Sequence, residues 1–218
     1  MHSIISNLKN IQNQLIAYDP KIIEKIKIVA VSKTFPMEKI TPLIEHGHIH
    51  FGENKIQEAI SKWSLVKNKH PKIKLHMIGK IQSNKAKYLL PLFDYIHSLD
   101  SLKVANLISN SQKKQKVRPK IFIQINIGNE QQKSGINFQN LKSFYNTCVK
   151  DLHLDIIGFM CLPPLNEKSS KYFKLMNEYR ALYNLKELSM GMSSDYLQAI
   201  KYQSTFLRLG SCIFGSRG

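Results

Sequence analysis

K-I-V-A-V-S-K-T-F-P, residues 27–36, is the stretch on which the reading of the fold turns. Ile28, Val29 and Val31 are β-branched, and a four-residue apolar run bounded by a turn signal suits a strand buried on both faces. Side chains alternate along a strand, so Lys33 shares a face with Val29 and Val31, and its amine emerges where solvent is scarce. A partly desolvated lysine can act as a nucleophile towards an aldehyde. An ordinary strand-closing lysine instead snorkels into water. The chain has 28 lysines, so this stretch alone does not single out Lys33.

Working outward, apolar runs of the same kind recur at 49–51, 73–78, 95–97, 120–127, 154–160, 185–190 and 206–209. Helical spacing lies between them. Ile4, Leu8, Ile11 and Leu15 form one face of a first helix that ends before Asp19-Pro20. Residues 36–46 carry Ile40, Leu43 and Ile44 on one side, with Gly47 as the stop. Glu53 and Asn54 are expected to cap a helix bearing Ile56, Ile60 and Trp63. Further helices are expected after Gly79, with Tyr88 and Leu89 on their face, and around Leu102, Ala105 and Leu107. The same reading gives helices over 138–149, 170–183 and 195–202, and takes 113–120 as a solvated basic connector.

Eight strands alternating with helices argue for an α/β chain with a parallel sheet. Residues 1–218 fit a single domain, a closed (β/α)₈ TIM barrel, with an open doubly wound sheet as the alternative. No Gly-x-Gly-x-x-Gly follows a strand, which counts against a dinucleotide-binding half. In a barrel the working groups lie at the C-terminal strand ends, and Lys33, Asn54, His97, Met160, Ser193 and Arg208 fall at or just beyond such ends.

Composition narrows the function classes. The net charge of +17 would ordinarily suggest nucleic acid, but 28 of the 32 basic residues are lysines spread over the whole length, alongside abundant Ile and Asn. That is a compositional drift rather than a basic patch, so loose, salt-sensitive binding is expected and specific nucleic-acid binding is not. No apolar run approaches the ~20 residues that span a bilayer, and the N-terminus is broken by Asn7, Lys9, Asn10 and Asn13, unlike a secretory signal. Cys148, Cys161 and Cys212 match no zinc or disulfide spacing. The expected setting is the cytoplasm.

Taken together, A-V-S-K at 30–33, F-G-E-N-K-I-Q-E at 51–58, H-M-I-G-K-I-Q-S-N-K at 76–85, H-S-L-D-S at 97–101, Q-I-N-I at 124–127, K-S-G at 133–135, S-M-G-M-S-S-D at 189–195 and R-L-G-S-C-I-F-G at 208–215 resemble the pyridoxal 5′-phosphate homeostasis proteins (YggS/PROSC) in order and spacing. The resemblance implies a barrel of the alanine racemase N-terminal type that holds pyridoxal 5′-phosphate without established turnover and serves vitamin B6 balance. It likens Lys33 to the lysine that holds the cofactor as a Schiff base, and Arg208 to the arginine facing the pyridine nitrogen. Ser193, Gly210 and Ser211 match the phosphate cradle, and Asn54 and Met190 match residues lining the ring. A glycine lets backbone N–H groups approach an anion, and a buried Arg208 requires a partner, ligand or carboxylate. Lys80, Lys85 and Lys133 sit in family motifs without an assigned role.

The sequence ends at Gly218 where many relatives run further, so a strap across the barrel mouth and a second catalytic domain are both expected to be absent. The expectation is therefore a monomeric carrier or regulator, not an enzyme, in transient contact with apoenzymes that use the cofactor. The rival readings are a racemase-like enzyme and a charge-driven nucleic-acid binder.

Overall fold

The computed structural model describes residues 3–83 and 88–216. Eight parallel strands close into a barrel in sequence order: β1 (Lys27–Val31), β2 (His50–Glu53), β3 (Lys74–Met77), β4 (Tyr95–Leu99), β5 (Lys120–Ile125), β6 (Ile156–Cys161), β7 (Glu187–Ser189) and β8 (Phe206–Leu209). Closure comes from β8 pairing with β1, Val29 opposite Arg208 and Ala30 opposite Leu209. The open-sheet alternative is thereby set aside.

Around the barrel run α1 (Ser3–Tyr18), α2 (Ile22–Lys25), α3 (Met37–Glu45), α4 (Ile56–Lys69), α5 (Leu102–Gln115), α6 (Phe138–Asn146), α7 (Ser169–Leu182), α8 (Tyr196–Ile200) and the single turn α9 (Ser211–Phe214). Alternation divides each strand between two cores. Ile28, Ala30, Phe51, Leu75, Ile121, Ile123, Phe159 and Leu207 face outward and pack under the helices. Val29, Tyr95, Phe122, Met160 and Phe206 fill the interior. The first helix buries Ile4, Leu8, Ile11 and Leu15, the four residues whose spacing marks its face.

Three local expectations are corrected. Lys113, Lys114 and Gln115 belong to the last turn of α5, and the connector begins at Lys116, whose positive φ of 55° stops the helix. Basic side chains there suit the negative end of the helix dipole, so a run of lysines does not mark a break. Neither Glu53 nor Asn54 caps α4: its N-cap is Lys55, without a side-chain cap bond, because Glu53 is the buried last residue of β2. The 138–149 helix ends at Asn146 and passes into a π-helical turn, Thr147–Asp151. The helix expected after Gly79 would span residues 84–87, which lie outside the described residues, as does Lys85. Among the described residues no helix is long and apolar enough to cross a membrane.

Candidate functional site

At the C-terminal ends of the strands a cleft of about 610 Å³ opens between Lys33 and Phe35 after β1, Asn54 after β2, Ile78 and Gly79 after β3, Met192 to Ser194 after β7, and Arg208, Gly210 and Ser211 at the end of β8. The phase set by Val29 explains Lys33: Val29 lies in the interior core, and Val31 and Lys33, two and four residues on, line the cleft above it.

The loop that carries Lys33 is held from several sides. Lys62 of α4 donates to the carbonyls of Ser32 at 2.9 Å and Phe35 at 3.2 Å. It also pairs with Glu53 at 2.8 Å and Glu58 at 3.0 Å. Ser32 Oγ donates to Glu53 Oε1 at 2.7 Å, and Trp63 Nε1 donates to the same oxygen at 3.0 Å. The N–H of Thr34, whose φ is 67°, donates to Glu58 at 2.6 Å. Lys62 and the Thr34 N–H hold the Glu58 carboxyl below its ordinary range despite some burial. Phe35 stacks on Phe214 at 4.9 Å, tying this loop to α9.

Arg208 is buried on β8 and donates from Nη1 to Ser189 Oγ at 2.6 Å and from Nη2 to the Cys161 carbonyl at 2.8 Å. Of the ligand or carboxylate expected beside Arg208, no carboxylate is bonded to it among the described residues: its protein partners are a hydroxyl and a carbonyl. Burial lowers the guanidinium pKa, yet arginine stays charged in proteins, so a cation stands in the cleft wall. Burial pushes the adjacent Cys161 thiol up to about 12, which makes it inert. Just beyond Arg208, where β8 ends, the N–H groups of Gly210 and Cys212 each donate to Ser193 Oγ at 3.3 Å.

Two further observations bear on what the cleft accepts. Asn54 Oδ1 is buried without a hydrogen-bond partner, an open acceptor beside the cleft and a cost if nothing meets it. A Cβ on Gly79 would lie 2.3 Å from the Asn54 carbonyl oxygen, so the bare backbone at Gly79 is what lets the loops after β2 and β3 come together beside the cleft. An amine, a guanidinium, an unmatched amide and a hydroxyl flanked by backbone N–H groups therefore converge on one space. That set suits a compound with a carbonyl, a flat polar ring and an anionic group.

Six of the seven residues proposed from sequence, Lys33, Asn54, Ser193, Arg208, Gly210 and Ser211, line this cleft. Met190 does not: its side chain is fully buried in the outer core. On β7 Ser189 points inward to Arg208, so its neighbours Leu188 and Met190 point outward. The ring-lining part expected of Met190 is corrected, and Met192 stands in the cleft instead. His97 and Met160 lie within the barrel, not at its mouth. Sequence reasoning missed Lys62 and Ser189. The spacing of Glu58 and Lys62, four apart on a helix, is a visible ion-pair signal, but nothing in it names the backbone that Lys62 grips.

The family profile "Alanine racemase, N-terminal domain" matches residues 1–218. A pyridoxal phosphate homeostasis protein of Vibrio alginolyticus is 34% identical over 235 residues, covering 100% of this chain and 99% of the relative. That of Buchnera aphidicola is 35% identical over 225 residues and 98% of both chains. Among solved structures, PipY of Synechococcus elongatus with PLP bound is similar at 30% identity, with a TM-score of 0.87 over 97% of this chain and 100% of that one. An alanine racemase of Clostridium difficile shares the fold at 16% identity and a TM-score of 0.77, over 100% of this chain but 57% of the racemase.

Proposed function

Because the chain belongs to the pyridoxal phosphate homeostasis protein family, which is built on the alanine racemase N-terminal barrel, we propose that it binds pyridoxal 5′-phosphate in the cleft and acts in the cytoplasm as a monomeric carrier or regulator of that cofactor. The whole chain serves as one binding unit. The observation that carries this reading is the convergence of Lys33, Asn54, Arg208 and Ser193 on one cleft of about 610 Å³, a size common for small-molecule sites.

When bound, pyridoxal phosphate supplies an electrophilic aldehyde and an electron-accepting ring. Lys33 would hold the group by its aldehyde, as the amine of the site. Arg208 would present its remaining donors to the ring nitrogen, where its charge would oppose protonation. Asn54 would offer its open acceptor to the ring's hydroxyl edge, and Ser193, Gly210 and Ser211 would hold the phosphate through hydroxyl and backbone N–H groups. Val31, Phe35, Ile78 and Leu162 supply apolar wall. Recipients of the cofactor are apoenzymes met transiently.

The test is to add pyridoxal phosphate, record the visible absorption band, reduce with hydride and map the labelled peptide. The expected label is on Lys33, and Lys33→Ala should lose it while keeping the same unfolding midpoint. A label found mainly on another lysine would overturn the assignment.

A further inference from the structure

Three histidines from consecutive strands run through the interior of the barrel as one hydrogen-bonded file. His50 Nδ1 lies 2.9 Å from His76 Nε2, and His76 Nδ1 lies 2.9 Å from His97 Nε2. His97 Nδ1 lies 2.7 Å from Ser189 Oγ, the oxygen that accepts from Arg208. The file thus joins the cleft wall to the opposite, N-terminal mouth, where His50 is half-buried beside Tyr95. Barrel interiors are ordinarily filled by layers of branched apolar side chains, and buried polar groups that serve only packing are readily replaced by them.

The donor direction of the file follows from its last member. Arginine has donors and no acceptor, so Ser189 Oγ must accept from it. The hydroxyl proton of Ser189 then has one acceptor among the described residues, His97 Nδ1. Burial, together with the charge of Arg208, keeps His97 neutral near pH 7, and burial does the same for His76 and His50. A neutral imidazole carries one N–H. With Nδ1 of His97 accepting, its Nε2–H donates to His76 Nδ1, and the Nε2–H of His76 donates to His50 Nδ1. The rings are held in plane, His76 stacked on Tyr95 at 4.4 Å and His97 on Phe122 at 4.4 Å, with Phe206 against both.

We propose that Ser189, His97, His76 and His50 are positioning residues: a one-way hydrogen-bond file, anchored at the N-terminal mouth, that orients the Arg208 guanidinium towards the ring of the bound cofactor. The orientation is a property of the free protein. Its use on pyridoxal phosphate rests on the reading given under Proposed function. Ending the file at His50 would leave the His76 Nε2–H without an acceptor; the tautomers would then reverse, Ser189 Oγ would accept from both His97 and Arg208, and its own hydroxyl proton would be left without a partner, so that Arg208 is held less well.

The experiment has an arm for each part. In the protein without cofactor, ¹⁵N spectra of labelled histidine and arginine should show His50, His76 and His97 as Nε2–H tautomers and Arg208 with slowly exchanging guanidinium protons. Ser189→Ala and His50→Phe should both average those guanidinium signals. Ser189→Thr and His50→Asn, which keep a hydrogen-bond acceptor at each place, should recover them. In the loaded protein, Ser189→Ala and His50→Phe should each shift the visible band of the cofactor and weaken its binding by about tenfold, with the conservative pair close to wild type. Any Nδ1–H tautomer among the three, or an Arg208 signal and cofactor band unmoved in both disruptive variants that fold, overturns the file. Failure of wild type to bind pyridoxal phosphate would instead overturn the functional reading, and the tautomer and guanidinium arm would still decide the file.

Discussion

Lys62 reaches the strand end that carries Lys33 from a neighbouring helix. Its ammonium is shared among two carbonyls and two carboxylates, and one of those carboxylates, Glu53, has no solvent exposure. Removing the cation strands a buried charge, the costly half of a buried pair. Lys62→Met should lower the stability by about 3–5 kcal/mol in urea unfolding, and Lys62→Met combined with Glu53→Gln should regain a good part of it. A single variant as stable as wild type would show that Glu53 is not held by Lys62. The face on which Lys33 stands is legible in the sequence because Val29 and Val31 fix the phase of a simple alternation. The grip of Lys62 is not, because its targets are backbone carbonyls, which are the same at every residue. Met190 misled for a related reason: at the end of a three-residue strand, alternation is carried by one neighbour, Ser189, whose inward direction only its bond to Arg208 reveals.

On the function proposed above, the turn from β8 into α9 is the element that would meet the anionic end of the ligand. Val31 packs against Gly210 through the β1–β8 pairing, 3.6 Å from where a Cβ would stand, so this turn and the lysine loop are positioned by the same pair of strands. Each charge-assisted hydrogen bond contributes about 1.5–3 kcal/mol. Pyridoxal without its phosphate should therefore bind at least about tenfold more weakly than pyridoxal phosphate, measured by titrating the visible band. Equal affinity would remove Ser193, Gly210 and Ser211 from that role. Strands β2, β3 and β4 give a second prediction. Burial lowers the pKa of His48 and His50 from 6.5 to about 4, and those of His76 and His97 well below 6.5. The unfolded chain takes up protons that the native imidazoles refuse, so stability is complete above about pH 6.5 and falls as the pH drops towards about 4. Each histidine steepens the fall by up to ~1.4 kcal/mol per pH unit. Urea midpoints at several pH values across that window measure it; a flat profile would mean the histidines are already protonated in the fold. None of this file is legible in the sequence, where each histidine stands alone in its strand and only the stagger of the closed sheet brings them level.

At the scale of the molecule, the eight-strand alternation is enough to give an α/β parallel sheet, whereas the choice of barrel over open sheet rests on β8 meeting β1, a long-range pairing that no local pattern shows. The net charge of +17 carries a weaker message: any complex with nucleic acid should dissolve as salt approaches physiological strength. The ionisable side chains lining the cleft, among the described residues, are Lys33 and Arg208. Inverting an amino acid's α-carbon calls for acid and base groups on opposite faces, and Arg208 holds its proton. Loaded protein incubated with L- and D-amino acids in heavy water should show little or no optical inversion. Turnover on the order of 1 s⁻¹ or faster would make it a racemase.

The pairing of β8 with β1 has one more consequence. A sheet closed on itself offers no edge, and every ladder of backbone N–H and C=O groups is already answered by a neighbouring strand. No partner can attach by adding a strand of its own, the commonest way for an extended peptide to join a sheet. On the function proposed above, an apoenzyme drawing the cofactor from this cleft would have to recognise loops and helix faces at the rim, through side chains rather than through a backbone edge.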